Sequence, residues 1–244
     1  MVGTPIPSSE LEMFRRLSKH LKVVLDVGCR DDIDYYHIHP DCEYRLFEPM
    51  KEALNSLKAK ISELEKHNIH VHEYGLSDVD LDDQVYYDNV QSFIPHWYVP
   101  SNDTGSRYNL RLLDDYISLA YLDRVDFLKI DVEGLDYNVL IGGIKSLLSG
   151  KVSYLQVEYS GGVRQYVDLL PNFQFYWMME PVLLAALIKA NPNNGNCFNK
   201  SLIKLDDTLI DFIDEFSKTG NGGNIFGVLK TSDLDIEELT FEIL

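Results

Sequence analysis

Four short apolar runs in this chain end in acidic or glycine-bearing residues: Asp26-Val27-Gly28-Cys29-Arg30-Asp31, Glu48-Pro49, Asp131-Val132-Glu133-Gly134 and Glu158-Tyr159-Ser160-Gly161. Singly, each has a plain explanation: Gly28 makes a tight turn, and Glu48 is a solvated carboxylate. Together they have chemical content. A glycine after a first strand lets a ligand approach the backbone, and an acid ending the second strand roughly 20 residues on accepts hydrogen bonds from ribose hydroxyls. Asp26 and Glu48 are 22 residues apart, the arrangement that holds an adenosine-containing cofactor. A dinucleotide would require G-x-G-x-x-G at the pyrophosphate, yet Arg30 and Asp32 stand where further glycines would fall, and Asp31-Asp32 would repel phosphates. S-adenosylmethionine, which lacks phosphates and carries a positive sulfonium, matches an acidic mouth better.

The elements that must position these residues are legible as periodicity. Ser9-x-x-Glu12 has the form of a capping box, and Leu11, Phe14, Leu17 and Leu21 recur at helical spacing, which predicts a helix over 9–20. Val23 to Gly28, Tyr44 to Pro49 and Ile69 to Tyr74 read as three strands, with a helix over 51–66 marked by Leu54, Leu57, Ile61 and Leu64. Val125 to Ile130 is a fourth strand, residues 136–148 a helix, and Val152 to Glu158 a fifth strand. This alternation predicts βαβ units with right-handed crossovers and a parallel sheet. Asn224 to Lys230 and Leu239 to Leu244 predict an antiparallel pair at a sheet edge. Two aromatic-rich stretches, Tyr86 to Tyr108 and Gly161 to Lys200, fit the alternation poorly. Such insertions either carry the substrate side of a site or fill a satellite core. No repeat or linker intervenes, so the simplest organisation is one domain over 1–244: an N-terminal helix at 9–22, a cofactor-binding core at 23–160, a variable acceptor-side segment at 161–223 and a C-terminal strand pair at 224–244.

The 244 residues include 22 Lys plus Arg against 39 Asp plus Glu, a formal charge of −17. That excess argues against a general partner of nucleic acid or of anionic membranes. With 45% apolar and 25% charged residues, the chain has the composition of a globular protein with a substantial core. Cys29, Cys42 and Cys197 form no CxxC pair, and their odd number suits a reducing compartment. The N-terminal stretch lacks the apolar core of a signal peptide, and the longest apolar run, Val182 to Ile188, is too short to span a bilayer. A cytoplasmic location is expected, with the sequons at Asn102 and Asn199 chance matches. The apolar segment from Pro181 to Lys189 reads as a core helix rather than a dimer face, and the oligomeric state stays open.

The ordered set Val24-Leu25-Asp26-Val27-Gly28, Leu46-Phe47-Glu48-Pro49, Gly75-Leu76-Ser77-Asp78, Leu113-Asp114-Asp115-Tyr116 and Asp126-Phe127-Leu128-Lys129-Ile130-Asp131-Val132-Glu133-Gly134 resembles the FkbM family of S-adenosylmethionine-dependent methyltransferases. The resemblance covers about residues 23 to 160. It implies an α/β, Rossmann-like class I methyltransferase fold: a seven-stranded, mostly parallel sheet with helices on both faces and an antiparallel last strand. It also implies O-methylation of a hydroxyl on a sugar, glycan or glycosylated small molecule. By motif position, Asp26 and Gly28 would border the methionine end of the cofactor, with contacts from Arg30 and Asp31. Glu48, with Pro49 beside it, would hold the ribose, Leu76 and Ser77 would flank the adenine, and Asp131 and Glu133 would face the reacting centre. Arg30 and Asp32 depart from the family's usual small and glycine residues in the first turn. Pro40 after His37-Ile38-His39 forbids a long regular helix there.

Methyl transfer to a hydroxyl is an in-line displacement that needs a base near the methyl group. Asp131 ranks first, followed by Glu133 and Glu158; a carboxylate enclosed among other acids has its pKa raised toward general-base work. The same acids could bind Mg²⁺ or Mn²⁺, but a metal is not favoured. The pairs His37/His39 and His70/His72 lack third and fourth ligands and read as structural. Fifteen tyrosines would suit a sugar acceptor, as they would other neutral hydroxylated molecules. The competing readings are a binding or scaffold protein with a decayed site, a methyltransferase of a non-sugar small molecule and, against the missing glycines, a nicotinamide-dependent oxidoreductase.

Overall fold

A computed structural model describes residues 8–64, 68–87, 92–93, 106–159, 161–190, 198–218, 220 and 222–243. The sequons' Asn102 and the aromatic residues His96, Trp97 and Tyr98 lie outside the described residues, as do Ser160 and Cys197. In chain order the elements begin with α1 (Ser9–Leu17), β1 (Val23–Val27), α2 (Asp34–Ile38), β2 (Glu43–Phe47), α3 (Lys51–Ser62), β3 (Ile69–His72) and β4 (Gly75–Ser77). Next come β5 (Leu81–Tyr87), β6 (Ser92–Phe93), β7 (Ser106–Leu112), α4 (Leu113–Leu119), β8 (Val125–Ile130), α5 (Asp136–Gly142), α6 (Ile144–Leu148) and β9 (Val152–Tyr159). The remainder comprises α7 (Arg164–Leu169), β10 (Phe173–Met178), α8 (Pro181–Ala190), β11 (Leu202–Lys204), α9 (Asp207–Ser217) and β12 (Gly223–Leu229). The chain divides into two compact units, Lys22–Ile33 with Asp41–Glu158, and Met1–Leu21 with Asp34–Pro40 and Tyr159–Leu244.

The first of these units is built on parallel strands in the order β9-β8-β1-β2-β3. Continuous apolar runs make them strands buried on both faces: Val24, Leu25, Phe127, Leu128 and Leu155 are fully enclosed. The α/β fold with a mostly parallel sheet is the architecture expected from the alternation. A second sheet, β4-β7-β5-β6, occupies part of the stretch that the alternation had left irregular. The helix expected over 136–148 is two, α5 and α6, separated at Gly143. Close packing causes the break. A Cβ on Gly142 would lie 2.0 Å from the Ser77 carbonyl oxygen and one on Gly143 2.5 Å from Leu113. Asp114 then accepts hydrogen bonds from the amides of Lys145 (3.0 Å) and Ser146 (2.8 Å) at the new helix start.

In the other unit β12 pairs antiparallel with β10, and β10 with β11. The expected pairing of Asn224–Lys230 with Leu239–Leu244 does not form: residues 236–238 make a 3₁₀ turn, and the terminal segment makes an isolated bridge between Glu242 and Lys200. Phe173, Phe175 and Trp177 are buried strand residues of this unit, with the Trp177 indole N–H donating to the Tyr159 hydroxyl at 2.8 Å. Helix α8 buries Leu184 and Leu187 and exposes Val182. The capping box predicted for α1 is also replaced. Ser8 is the N-cap, its Oγ accepting from Leu11 N, while Glu180 accepts from the amides of Ser9 (3.0 Å) and Glu10 (3.1 Å). Glu12 instead binds Arg15 and Arg16.

Candidate active site

The ends of β1, β2 and β8 are knitted together by backbone. Gly28 N donates to Phe47 O and Asp131 N to Val27 O, both at 3.0 Å. Gly28 has φ of 84°, and a Cβ there would sit 1.9 Å from the Asp131 carbonyl oxygen, so this turn admits only glycine. Two non-glycine residues beside it are also left-handed, Arg30 with φ 53° and Glu133 with φ 55°. Their exposed side chains face each other at 4.0 Å. Such conformations cost energy and cluster where a binding site dictates the backbone.

Glu48, 2% exposed, follows β2. Its Oε2 accepts the Arg30 amide at 2.9 Å and its Oε1 the Met50 amide at 2.7 Å. Burial raises its carboxyl pKa against the lowering effect of these two hydrogen bonds. Each oxygen retains a lone pair for a further donor, such as one of two vicinal hydroxyls. The carboxylate lines a cavity of about 230 Å³, the scale of a small-molecule site rather than a macromolecular surface, and Gly28, Arg30, Pro49, Leu76, Asp131 and Glu133 line it too. Met50, Tyr108 and Leu135, not singled out in the sequence, contribute apolar and aromatic walls.

Four other residues expected at the site lie off this lining. Asp31 turns to helix α3, where its carboxylate accepts from Ser56 Oγ and Lys60 Nζ, both at 2.8 Å, and these bonds hold its pKa below the ordinary range. Ser77 is buried, with its carbonyl against Gly142 and its hydroxyl on Asp78. Asp26 is buried beneath the turn, its Oδ1 3.7 Å from Lys129 Nζ. Glu158, next to last in β9, lies beside Asp131, and its carboxyl is pushed up to about 7 by burial first, then by the charges of Asp131, Asp136 and Glu133 and by a hydrogen bond with Asp131.

Two further groups join the site without a motif to mark them in the sequence. Asp136, 2% exposed, accepts the amides of Val132 (3.0 Å) and Gly134 (3.1 Å) and so fixes the turn that presents Asp131 and Glu133. Lys129, whose side chain is 12% exposed, places Nζ 3.2 Å from Asp131 Oδ2. A lysine inside the apolar run Val-Asp-Phe-Leu-Lys-Ile was the available signal for it.

His72 is structural. It stacks on Phe47 with centroids 4.7 Å apart and hydrogen-bonds the Tyr116 hydroxyl at 2.8 Å. Burial and Arg45 lower its pKa to about 4, so the neutral ring accepts from Tyr116, which in turn accepts from Arg45 at 2.9 Å. Among the described residues no cluster of three or more His, Cys, Asp or Glu is arranged to hold a metal ion, and no helix is long and apolar enough to cross a membrane.

A parallel sheet whose strand ends carry Gly28, Glu48 and Asp131 around one cavity is the arrangement of an α/β ligand-binding protein. The chain belongs to the FkbM methyltransferase family: the family described as "Methyltransferase FkbM domain" matches residues 4–178. It is similar to the 2-O-methyltransferase NoeI of Sinorhizobium fredii (strain NBRC 101917 / NGR234), with 26% identity over 203 residues covering 70% of this chain and 82% of that protein. Among solved structures it is similar to the methyltransferase FkbM from Methylobacillus flagellatus KT, at 17% identity and TM-score 0.45. That match covers 64% of this chain, which spans 39% of that one. An rRNA methylase from Streptococcus thermophilus matches at 9% identity and TM-score 0.43, covering 94% of this chain and 98% of that one.

Proposed function

We propose that this methyltransferase is a cytoplasmic enzyme that uses S-adenosylmethionine to methylate a hydroxyl of a sugar, glycan or glycosylated small molecule. The observation that carries the reading is Glu48: a buried carboxylate gripped by the amides of Arg30 and Met50, lining a cavity that Asp131 and Glu133 also line. The donor set fits the cofactor. Glu48 has acceptor capacity for ribose hydroxyls, Leu76 and Leu110 offer an apolar wall for a base, and the acids suit a sulfonium and an ammonium. When bound, S-adenosylmethionine supplies an electrophilic methyl group. The 2-O-methyltransferase relative supports oxygen as the acceptor atom, and the free, buried Cys29 and Cys42 suit a reducing compartment.

The protein's own part in the reaction is to orient the acceptor hydroxyl and take its proton. The sequence ranks Asp131 first for this, but the raised proton affinity of its neighbour favours Glu158. Asp131 faces the Lys129 ammonium at 3.2 Å and lines the cavity, which suits attraction of a cationic donor. Glu158, raised to about 7, is poised to accept a proton near neutral pH. Isothermal titration with S-adenosylmethionine and with S-adenosylhomocysteine tests the cofactor assignment, and tritiated-methyl transfer to a panel of glycans tests the acceptor. Micromolar binding followed by label in a glycan is expected. Absence of binding refutes the cofactor reading, and binding without transfer to any acceptor favours the decayed-site alternative.

A further inference from the structure

Strand register arranges polar residues in rows across the middle of the sheet. Asp26 on β1 is in register with Lys129 on β8, and Lys129 with Gln156 on β9. Register partners in a parallel sheet share a face. This row is buried where apolar residues would be expected: Asp26 is 6% exposed, Gln156 is fully enclosed, and the Lys129 side chain is 12% exposed. Two residues further along the same strands come Gly28, Asp131 and Glu158, the residues at the cavity and beside it. Lys129 Nζ therefore lies between the two rows, 3.7 Å from Asp26 Oδ1 and 3.2 Å from Asp131 Oδ2. Burying an ammonium, a carboxylate and a carboxamide is expensive compared with an apolar triplet of similar volume, so fold stability alone does not account for the row.

We propose that Lys129 is the positioning residue of this site: its ammonium ties the Asp131 carboxylate back toward Asp26, and so leaves Glu158 as the carboxyl that takes the acceptor's proton. The inference rests on the methyltransferase reading for its catalytic part. The charged groups facing the Asp131/Glu158 pair are consistent with it. From β1 comes Asp26, from β8 Lys129, from the following turn Glu133 with Arg30 at 4.0 Å from it, and from α5 Asp136. Lys129 is the cation among them that lies within 4 Å of the pair. Without it the negative charge at Asp131 is felt more strongly at Glu158, so the Glu158 proton is held to higher pH.

The test compares wild type with Lys129→Met, which keeps the length of the side chain without the charge, and with Lys129→Arg. In the apo protein, ¹³C-carboxyl NMR should show the Glu158 titration moving to higher pH in Lys129→Met and remaining near the wild-type position in Lys129→Arg. With cofactor and acceptor, kcat should fall by on the order of 10²-fold in Lys129→Met, as for a displaced base. The acid limb of its pH profile should move to higher pH, KM for S-adenosylmethionine should change little, and Lys129→Arg should recover most of the rate. A folded Lys129→Met protein with an unmoved Glu158 titration and wild-type pH profile overturns the inference. If Lys129→Met does not fold, Lys129→Gln takes its place with the same expectations. The apo titration is independent of turnover, so a wild type that neither binds cofactor nor transfers methyl refutes the functional reading and leaves the positioning role still decided by NMR.

Discussion

Replacing Gly28 by alanine probes the junction on which the site is built. Its φ of 84° places an L-residue in the left-handed region, at a cost of about 1–2 kcal/mol. The added Cβ would lie 1.9 Å from the Asp131 carbonyl oxygen, against an ordinary contact near 3.4 Å, so the turn after β8 must retreat by about 1.5 Å. That retreat breaks or stretches the bonds Asp131 N to Val27 O and Gly28 N to Phe47 O, each 3.0 Å long and each contributing about 1 kcal/mol. Together these give a loss of about 3–4 kcal/mol, a large share of a typical domain's stability. Urea unfolding followed by circular dichroism measures it, and an unchanged m-value would indicate the same unfolding transition. The retreat also carries Asp131 and Glu133 outward, so cofactor affinity should fall with stability. A Gly28→Ala protein within about 1 kcal/mol of wild type, binding cofactor normally, would refute the argument that this turn fixes the cavity.

Three other outcomes are expected. Glu158, raised from 4.5 to about 7, holds its proton more tightly folded than unfolded, so its contribution is present at low pH and is lost as pH rises from 4.5 to about 7. Wild type should therefore lose about 1–2 kcal/mol relative to Glu158→Gln across that window, allowing for solvent screening of a half-buried group, as read from urea midpoints at either end. Glu180→Ala strips the first turn of α1 of the acceptor for two amides and should cost about 1–2 kcal/mol in the same assay. Burial pushes the Cys42 thiol up to about 12 and raises Cys29 well above the ordinary thiol range, so site-resolved mass spectrometry should find both unmodified by iodoacetamide in native protein at about pH 8 and both modified in denaturant.

The parts of this molecule that could be read in advance are those where one local signal dominates. Val125–Ile130 is an uninterrupted apolar run and forms the predicted strand, and Gly28, Glu48 and Asp131 stand out because they terminate such runs. Partners distant in sequence decide the rest. Residues 136–148 have one helical period, but the backbone of Ser77 and the side chain of Leu113 force the break at Gly142-Gly143. The Ser9/Glu12 capping pattern loses to a carboxylate from Glu180. Leu239–Leu244 has strand composition, yet Phe173–Met178 takes the place beside β12. At the site, Asp31 was expected on the cofactor because it adjoins the glycine turn, but Lys60 and Ser56 draw it to α3. Lys129 is not legible from its neighbours in sequence because its meaning lies in register with a strand about a hundred residues away.

The grip of Glu180 on Ser9 and Glu10 has a temporal consequence. Helix α1 spans nine residues, fewer than the ~12–15 at which an isolated helix becomes marginally stable in water. Its acceptor is 171 residues downstream of Ser9, a stretch that takes roughly 9–34 s to synthesise at about 5–20 residues per second. During translation this segment emerges well before its acceptor, so its capping and the burial of its apolar face, Met13, Phe14 and Leu17, wait for that interval.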